Sequence, residues 1–255
     1  MKRHDVLCLA AVLALSLIGS GLARGVLPEG LVFLMAFEEG QGDVVHDLSG
    51  FGNDGTIVGK VDWINGKYGK GLNFDGQTYV NVPNAKPLSD LTEPMSVGVW
   101  TYPTALGGWR SVVEMDATGL GGWKIGFHDS RVVVWTTYRV QDFFGVTPVE
   151  TDEWTHIAAT WDGKEAIVYV NGKPDPPIPG GGVVDVKDTK NVPSLDIARR
   201  QTTNASYYAG GLDEAFVFQR LLSENEINDV MNGFNLAVES AGKLASTWAA
   251  LKNYR

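Results

Sequence analysis

The chain has 255 residues, a formal net charge of −9 and one cysteine, Cys8. The acidic balance and the lack of a Lys/Arg stripe argue against nucleic-acid binding, since phosphates attract basic surfaces. Cys8 is the only cysteine and lies in an N-terminal apolar segment. The rest of the chain therefore has no cysteine for a disulfide, a thiol nucleophile or a zinc site.

The N-terminus has the layout of a secretory signal peptide. Lys2 and Arg3 precede an apolar run over residues 6–18, and small residues lead up to Ala23. The apolar run is short for a membrane span. We expect a signal peptide over residues 1–23, which predicts a secreted protein that is extracellular or periplasmic. An uncleaved anchor is the alternative.

Short β-rich segments occupy the chain from Leu31 to Phe218, separated by Gly, Asn, Asp and Pro. They are residues 96–100, 111–115, 123–127, 131–138, 154–161, 165–170 and 212–218. No long segment with helical periodicity interrupts them. Many short strands at near-regular spacing predict an all-β fold, either a sandwich of two sheets or a barrel.

Two dipeptides predict tight turns between strands. Asp162-Gly163 and Asn171-Gly172 each follow a β-rich segment, and both accept the positive φ that short hairpins require. The Pro- and Gly-rich residues 174–182 cannot form a central strand, because proline lacks the N–H that pairs with a neighbouring strand.

The C-terminal part predicts two helices. The sequence from Ser223 to Glu226 has the pattern of a capping box, with Ile227 and Val230 on one apolar face. Leu244 and Leu251 share the spacing of a short amphipathic helix in the tail, residues 234–255. Docking on the sandwich or fraying is the simpler role of this tail, and partner binding is the alternative.

In their order and spacing, several motifs resemble those of the laminin-G-like, concanavalin-type lectin/glucanase family. They are Phe37-Glu38-Glu39-Gly40, Asp47-Leu48-Ser49-Gly50, Gly69-Lys70-Gly71-Leu72, Trp154-Thr155-His156-Ile157, Tyr169-Val170-Asn171-Gly172 and Gly211-Leu212-Asp213-Glu214. The resemblance implies a concanavalin-type jelly-roll sandwich of two antiparallel sheets over residues 31–233, with a short C-terminal helix and tail.

The resemblance also implies a structural calcium ion, because family members often hold one where the first and last strands meet. Its ligands here would be Glu38, Asp47, Asn53 and Asp213, which supply the oxygens that calcium prefers. In the alternative interpretation, Asp47 and Asn53 only shape a turn, and Glu38 and Asp213 are solvated at strand ends.

Catalytic relatives of this fold carry the motif E-x-D-x-x-E on one strand. Glu114 and Asp116 match its first two acidic positions, but Gly119 stands where the second glutamate would be. Because glycoside hydrolysis needs a pair of carboxyl groups, the sequence predicts no enzyme, and we expect Glu114 and Asp116 at a rim or strand end. His156 is expected to be a hydrogen-bonded structural histidine.

Aromatic side chains that stack on sugars, beside polar groups that bind hydroxyls, are the candidate ligand residues. They are Trp109, Arg110, Trp123, His128, Trp135 and Tyr138, with Phe143 and Phe144 as further aromatic candidates. Some of them are expected to fill the space between the sheets instead. The predicted function is a secreted, non-catalytic binding module for a glycan or polysaccharide. Protein–protein adhesion or a cell-surface structural role is the alternative, and a glycoside hydrolase-like enzyme comes third.

Overall fold

The computed structural model describes residues 27–83, 85, 87, 88, 94–117, 121–138, 141–176, 178–180 and 194–233. In this part of the chain, seventeen strands form two antiparallel sheets, and a helix follows the last strand. The predicted all-β sandwich of two antiparallel sheets with a short C-terminal helix is therefore confirmed. The predicted signal peptide (residues 1–23) and tail (residues 234–255) lie outside the described residues.

The first sheet has eight strands. They are β1 (Leu31–Met35), β4 (Trp63–Asn65), β5 (Lys70–Asp75), β7 (Met95–Pro103), β12 (Thr155–Trp161), β13 (Ala166–Val170), β14 (Lys173–Asp175) and β17 (Ala209–Phe218). Their spatial order is β14-β13-β12-β7-β17-β5-β4, and β1 also pairs with β17. The first and last long strands of the domain are therefore neighbours.

The second sheet has nine strands. They are β2 (Val44–Val45), β3 (Gly55–Val58), β6 (Tyr79–Pro83), β8 (Arg110–Ala117), β9 (Gly121–Phe127), β10 (Val132–Thr137), β11 (Gln141–Pro148), β15 (Ile178–Gly180) and β16 (Ser194–Ile197). Their spatial order is β15-β11-β10-β9-β8-β16-β6-β3-β2. Strands that are distant in sequence, such as β8 and β16, are therefore adjacent here.

The main core lies between the two sheets. Val113 and Ile125 enter it from the nine-stranded sheet, and Val99, Ile157 and Leu72 enter it from the eight-stranded sheet. Successive residues of a strand point to opposite faces, so the neighbours of these residues point outward. What covers each outer face therefore decides where a binding site can form.

The predicted turns are confirmed. The Asp162 carboxylate accepts hydrogen bonds from the backbone N–H groups of Lys164 and Glu165, between β12 and β13. Asn171 and Gly172 have φ values of 50° and 74° and connect β13 to β14. Pro174 lies in β14 and Pro179 lies in β15, and these are the end strands of the two sheets. This agrees with the exclusion of proline from central strands.

Helix α1 (Glu224–Met231) begins at the predicted capping box, in which Ser223 and Glu226 exchange hydrogen bonds. Its buried residues Ile227 and Val230 form a second apolar cluster with Leu34 and other outward-pointing residues of the eight-stranded sheet. The outer face of that sheet is therefore partly covered by α1. None of the described residues belongs to a helix with the length and hydropathy of a membrane span.

His156 lies on this covered face. Its ring packs 5.3 Å from the Trp100 ring and 6.0 Å from the Phe216 ring, measured between centroids. The backbone N–H of His156 donates to Asn171 Oδ1, but within the described part of the chain neither ring nitrogen has a hydrogen-bond partner. The prediction that His156 is a hydrogen-bonded histidine is therefore wrong for its ring, because aromatic side chains surround it.

Candidate functional site

The outer face of the nine-stranded sheet carries a row of polar side chains. Val113 and Ile125 point into the core, so their neighbours Glu114 and Lys124 point away from it. Glu114 lies opposite Lys124 on the adjacent strand, and Lys124 lies opposite Thr136. Alternation within each strand and the register between strands together align these side chains.

The same register extends the row across seven neighbouring strands. Its members, in spatial order, are Thr56, Asn81, Asp196, Glu114, Lys124, Thr136 and Asp142. With neighbouring strands about 4.8 Å apart, the row spans roughly 29 Å. We call these seven residues the outer row.

The middle of the outer row is buried although it lies outside the main core. The exposed fractions of Asp196, Glu114 and Lys124 are 0%, 1% and 3%. Charged groups removed from water are costly unless they are paired or lose their charge. The partners of these three residues therefore determine what this face can do.

Asp116 is held by the segment that follows β16. It lies two residues after Glu114 on β8 and so points to the same face. Arg200 Nε donates to Asp116 Oδ2 at 3.1 Å, and the Thr202 hydroxyl donates to the same oxygen. The Arg200 guanidinium carbon also lies 4.7 Å from the centre of the Tyr138 ring. A half-buried arginine is thereby fixed above β8.

Arg199 makes a parallel set of contacts one strand further on. Its Nε and Nη2 atoms donate to Asp196 Oδ2 at 2.9 and 2.6 Å, while Asn81 Nδ2 donates to Asp196 Oδ1 at 2.7 Å. The guanidinium carbon lies 3.5 Å from the centre of the Tyr79 ring. The buried charge of Asp196 is therefore fully paired, and Arg199 is held in one orientation.

Glu114 and Lys124 lie opposite each other as a buried pair. Burial raises the pKa of Glu114 to about 7, while the Ser111 hydroxyl, the Lys124 ammonium and the Tyr138 hydroxyl oppose the rise. Burial lowers the pKa of Lys124 to about 8, against the opposite effect of Glu114 and Asp142. This pair is consequently the part of the face whose charge changes near neutral pH.

Three aromatic rings form a half-buried cluster beside the pair. The ring centroids of Trp109 and His128 are 4.8 Å apart, those of His128 and Phe144 are 4.8 Å apart, and those of Trp109 and Phe144 are 5.9 Å apart. Lys124 Nζ lies 4.2 Å from the centre of the Trp109 ring. We call Trp109, His128 and Phe144 the aromatic trio. It joins partly exposed ring surface to the charged middle of the outer row.

The structure separates the six predicted ligand residues into two groups. Trp109, His128 and Tyr138 lie on the outer face, and Arg110 Nη1 donates to the backbone carbonyl oxygen of Trp109 at 3.3 Å. Trp123 and Trp135 are buried in the main core, where their rings stack 5.6 Å apart. This corrects the expectation that these two tryptophans frame a groove, because strand parity points them toward the opposite sheet. The ligand-binding role of the other four residues stays a prediction.

The placement of Glu114 and Asp116 agrees with the expectation only in part. Asp116 is the last residue but one of β8 and so lies near the strand end, as expected. Glu114 differs, because it pairs on both sides, with β9 and β16, and is buried in the middle of the outer face. Gly119, at the third position of the motif, lies outside the described residues.

The four predicted calcium ligands occupy two separate places. Asp47 and Asn53 lie in one loop, where Asp47 Oδ2 accepts from the Asn53 N–H at 2.9 Å. Glu38 and Asp213 instead accept from the backbone N–H groups of Lys70 and Tyr68. In the ranges that the structure describes, no group of three or more His, Cys, Asp or Glu side chains is arranged to hold a metal ion. The four residues therefore do not form one calcium site in this arrangement, and calcium binding stays a prediction.

Asp47 has a structural role of its own. Its carboxylate also accepts hydrogen bonds from the Leu34 N–H at 3.1 Å and from the Ser49 N–H at 2.9 Å. We expect Asp47→Ala to lower the free energy of unfolding by about 2 kcal/mol, the scale of losing hydrogen bonds to a charged acceptor. Urea unfolding in calcium and in EDTA tests this, with the exposed Asp43→Ala as the control. A loss of stability seen only in calcium would instead support a metal role for Asp47.

Several residues of this face were not predicted from the sequence. They are Lys124, Asp196, Arg199 and Arg200. A signal existed for Glu114 and Asp116, because they alternate with the apolar Val113 and Met115 and so must share the face opposite to them. The arginines lie more than 80 positions from β8 in sequence, and only the pairing of β8 with β16 brings them there.

Comparisons with known proteins agree with this architecture. Residues 74–228 match the sequence profile of the concanavalin A-like lectin/glucanases superfamily, Laminin_G_3. The human adhesion G-protein coupled receptor D1 is 34% identical over 99 residues, which are 38% of this chain and 11% of the receptor. This chain therefore spans only a small part of that receptor.

Solved structures with the same fold include domain 4 of AbnA, a GH43 extracellular arabinanase from Geobacillus stearothermophilus, in complex with arabinotriose. It has a TM-score of 0.63 and 18% identity, covering 79% of this chain and 98% of that domain. The binding domain of Paraclostridial Mosquitocidal Protein 1 has a TM-score of 0.62 and 19% identity, covering 81% of this chain and 53% of that one. The TM-scores of these two structures establish a common fold. With the profile match over more than half of its length, the chain belongs to the concanavalin A-like lectin/glucanase superfamily.

Proposed function

We propose that this protein is a secreted, non-catalytic carbohydrate-binding domain whose site is the outer face of the nine-stranded sheet. The observation that carries the proposal is the half-buried aromatic trio beside the charged outer row. Sugars present C–H surfaces to aromatic rings and hydroxyls to charged or amide groups. Both kinds of surface are partly exposed on this face, where the trio supplies the rings and Asp142 and Arg200 supply the polar groups.

The chemistry of the surrounding side chains supports binding more than turnover. Asp116 is paired with Arg200 and Thr202, and Asp142 accepts from the Thr136 hydroxyl at 2.6 Å. Glycoside hydrolysis needs one carboxyl group as acid and another as nucleophile or base, facing one bond. Fixed pairs of this kind suit the holding of hydroxyl groups. Product analysis after incubation with each bound glycan tests the non-catalytic part of the proposal.

The arabinanase domain supports the choice of ligand class. This chain covers 98% of that domain, whose structure contains arabinotriose. Because the identity to that domain is 18%, a glycan array identifies the sugar.

We expect Trp109→Ala to weaken glycan binding at least about tenfold, since aromatic anchors at the centre of a site commonly contribute more than about 1.4 kcal/mol. A glycan array followed by isothermal titration calorimetry of the best ligand measures this loss. Each experiment is run in calcium and again in EDTA, which also tests the predicted calcium dependence. Phe51→Ala is the matched control, because it truncates an exposed aromatic residue in the separate 47–54 loop.

Protein adhesion is the second candidate, favoured by a different observation. Leu48 and Phe51 are 41% and 54% exposed in the loop that Asp47 holds through its hydrogen bonds. An ordered loop with apolar tips is a feature of protein-binding surfaces, and the similarity to an adhesion receptor supports it. If no glycan binds in either buffer, the carbohydrate proposal is wrong and this candidate becomes the leading one.

A further inference from the structure

Lys124 has two competing partners on the outer face. Its ammonium nitrogen lies 4.2 Å from the centre of the Trp109 ring, and its strand position is directly opposite Glu114. A buried ammonium is attracted by an aromatic face and, more strongly, by an ionised carboxylate. The partner that Lys124 engages therefore depends on whether Glu114 carries a proton.

We propose that the Glu114–Lys124 pair positions Trp109, so that ligand binding at this face weakens as the pH rises above neutrality. The inference rests on the proposed carbohydrate site only for its ligand. The positioning itself is a property of the free protein. Lys124 and Glu114 act through Trp109 and are positioning residues.

The geometry places the Lys124 ammonium against the Trp109 ring, where it can hold the indole in position. The aromatic trio packs edge to face, and Lys124 is the cation beside the indole. Only 3% of Lys124 is exposed, so the ammonium cannot exchange the ring for bulk water as a surface lysine does. If Lys124 loses its charge, or if its ammonium moves toward Glu114, Trp109 loses a cation–π attraction that is stronger in a desolvated site than at the surface.

The order of proton loss gives the direction of the effect. With rising pH, Glu114 ionises at about 7 and Lys124 becomes neutral at about 8. The first step draws the ammonium toward the carboxylate, and the second removes the charge. Both steps weaken the contact with Trp109, so the indole is held most firmly below neutral pH.

Other titratable or charged groups also face this pair or Trp109. They are Arg110 and Asp116 on β8, His128 after β9, Tyr138 after β10, Asp142 on β11, Asp196 on β16, and Arg199 and Arg200 after β16. Asp116 and Asp196 are each paired with an arginine, and burial raises the pKa of Tyr138 far above its usual range. His128 contacts Trp109 directly, so it needs its own control.

The experiment follows the indole N–H resonance of Trp109 in the full-length protein by nuclear magnetic resonance between about pH 5.5 and pH 9.5. The resonance is assigned by its loss in Trp109→Phe. We expect its position to change with midpoints between about 7 and 8. In Glu114→Gln a single midpoint remains and lies below about 8, because the Lys124 pKa loses the upward effect of Glu114. In Lys124→Arg the upper midpoint disappears, and in Lys124→Met the resonance no longer titrates.

Two controls exclude simpler causes. In His128→Asn, the Trp109 resonance keeps both midpoints if the Glu114–Lys124 pair causes the titration. It loses them if His128 causes the titration. Lys60→Met removes an exposed lysine that pairs with Asp62, and it leaves the titration unchanged. If the Lys124 variants do not fold, the wild-type titration and Glu114→Gln still decide the result.

The glycan measurement is separate from this titration. For the best ligand of the array, we expect the affinity to fall about threefold or more between pH 6 and pH 9, and to fall in a single step in Glu114→Gln. A Trp109 resonance that does not move over this range overturns the proposal whether or not glycans bind. A resonance that titrates in a protein without glycan affinity supports the positioning and refutes only the carbohydrate site. A titrating resonance with constant affinity overturns the pH dependence of binding.

Discussion

Replacement of Trp135 by alanine is expected to lower the free energy of unfolding by about 3–5 kcal/mol, the range for truncating a buried aromatic residue. The indole is 0% exposed and lies between the rings of Trp123 and Trp161. Its Nε1 atom donates to the Thr137 hydroxyl at 3.0 Å. The variant therefore loses apolar burial and two stacked contacts, and leaves one buried hydroxyl without its donor. Urea unfolding followed by circular dichroism measures the change.

The comparison with Trp109→Ala makes this experiment decisive for the site. Trp109 is half-buried on the outer face, so its truncation should cost about 1 kcal/mol or less in stability while removing glycan affinity. A Trp135→Ala protein that is as stable as the wild type but no longer binds glycan would contradict the assignment of Trp135 to the core. It would return that residue to the binding site.

Local sequence signals predicted the turns and the helix because each depends on a few adjacent residues. Asn171-Gly172 predicts a turn since both residues accept a positive φ, and Ser223 with Glu226 predicts the helix start because the two side chains cap it together. The short strands predicted an all-β fold for a similar reason, since each strand is bounded by its own turn residues. The choice of a sandwich over a barrel came from the family resemblance.

The two tryptophans of the core were misplaced because β10 gives no alternating signal. Its sequence from Val132 to Thr137 is buried on both faces, so apolar or aromatic character does not tell which face a residue occupies. Only pairing with β9, which sets Trp135 opposite the core residue Ile125, decides it. Trp123 lies two residues before Ile125 on β9 and therefore points into the core as well.

The charged part of the site depends on contacts between distant segments. Arg200 reaches Asp116 because β16 lies beside β8, and Lys124 reaches Trp109 because β9 lies beside the start of β8. Sequence patterns within one strand contain neither piece of information. The sequence could therefore indicate aromatic candidates for a site, but not which charges would surround them.

The two outer faces of the sandwich have different physical roles. The face of the eight-stranded sheet is partly covered by α1, and it buries an apolar cluster together with the His156 ring. The face of the nine-stranded sheet buries charges that are paired with one another or shifted toward neutrality. Titration of the first face is expected to affect stability, and titration of the second to affect binding. His156 provides the test of the first statement.

Acidification is expected to destabilise the protein through His156. Burial lowers the pKa of His156 to about 3, whereas the unfolded chain binds this proton at about 6.5. Below about pH 6.5, His156 is therefore protonated in the unfolded chain but stays neutral in the folded protein. The free energy of unfolding falls with falling pH until the pH reaches the pKa of His156 in the folded protein. The effect is about 2 kcal/mol at pH 5 and on the order of 4–5 kcal/mol by pH 3.

Replacing His156 with phenylalanine should remove this acid sensitivity, because the ring already lies among aromatic neighbours and phenylalanine has a similar shape. The measurement is urea unfolding of both proteins between about pH 7.5 and pH 4.5. At each pH, the difference between the two free energies of unfolding gives the contribution of His156 alone, because the carboxylates titrate in both proteins. His46→Asn is the control, since the His46 side chain is 54% exposed and its loss should leave the acid dependence in place. A wild-type curve that parallels His156→Phe over this range would mean that the buried ring takes up its proton without opening the fold, and α1 would then have to move away from the sheet to solvate it.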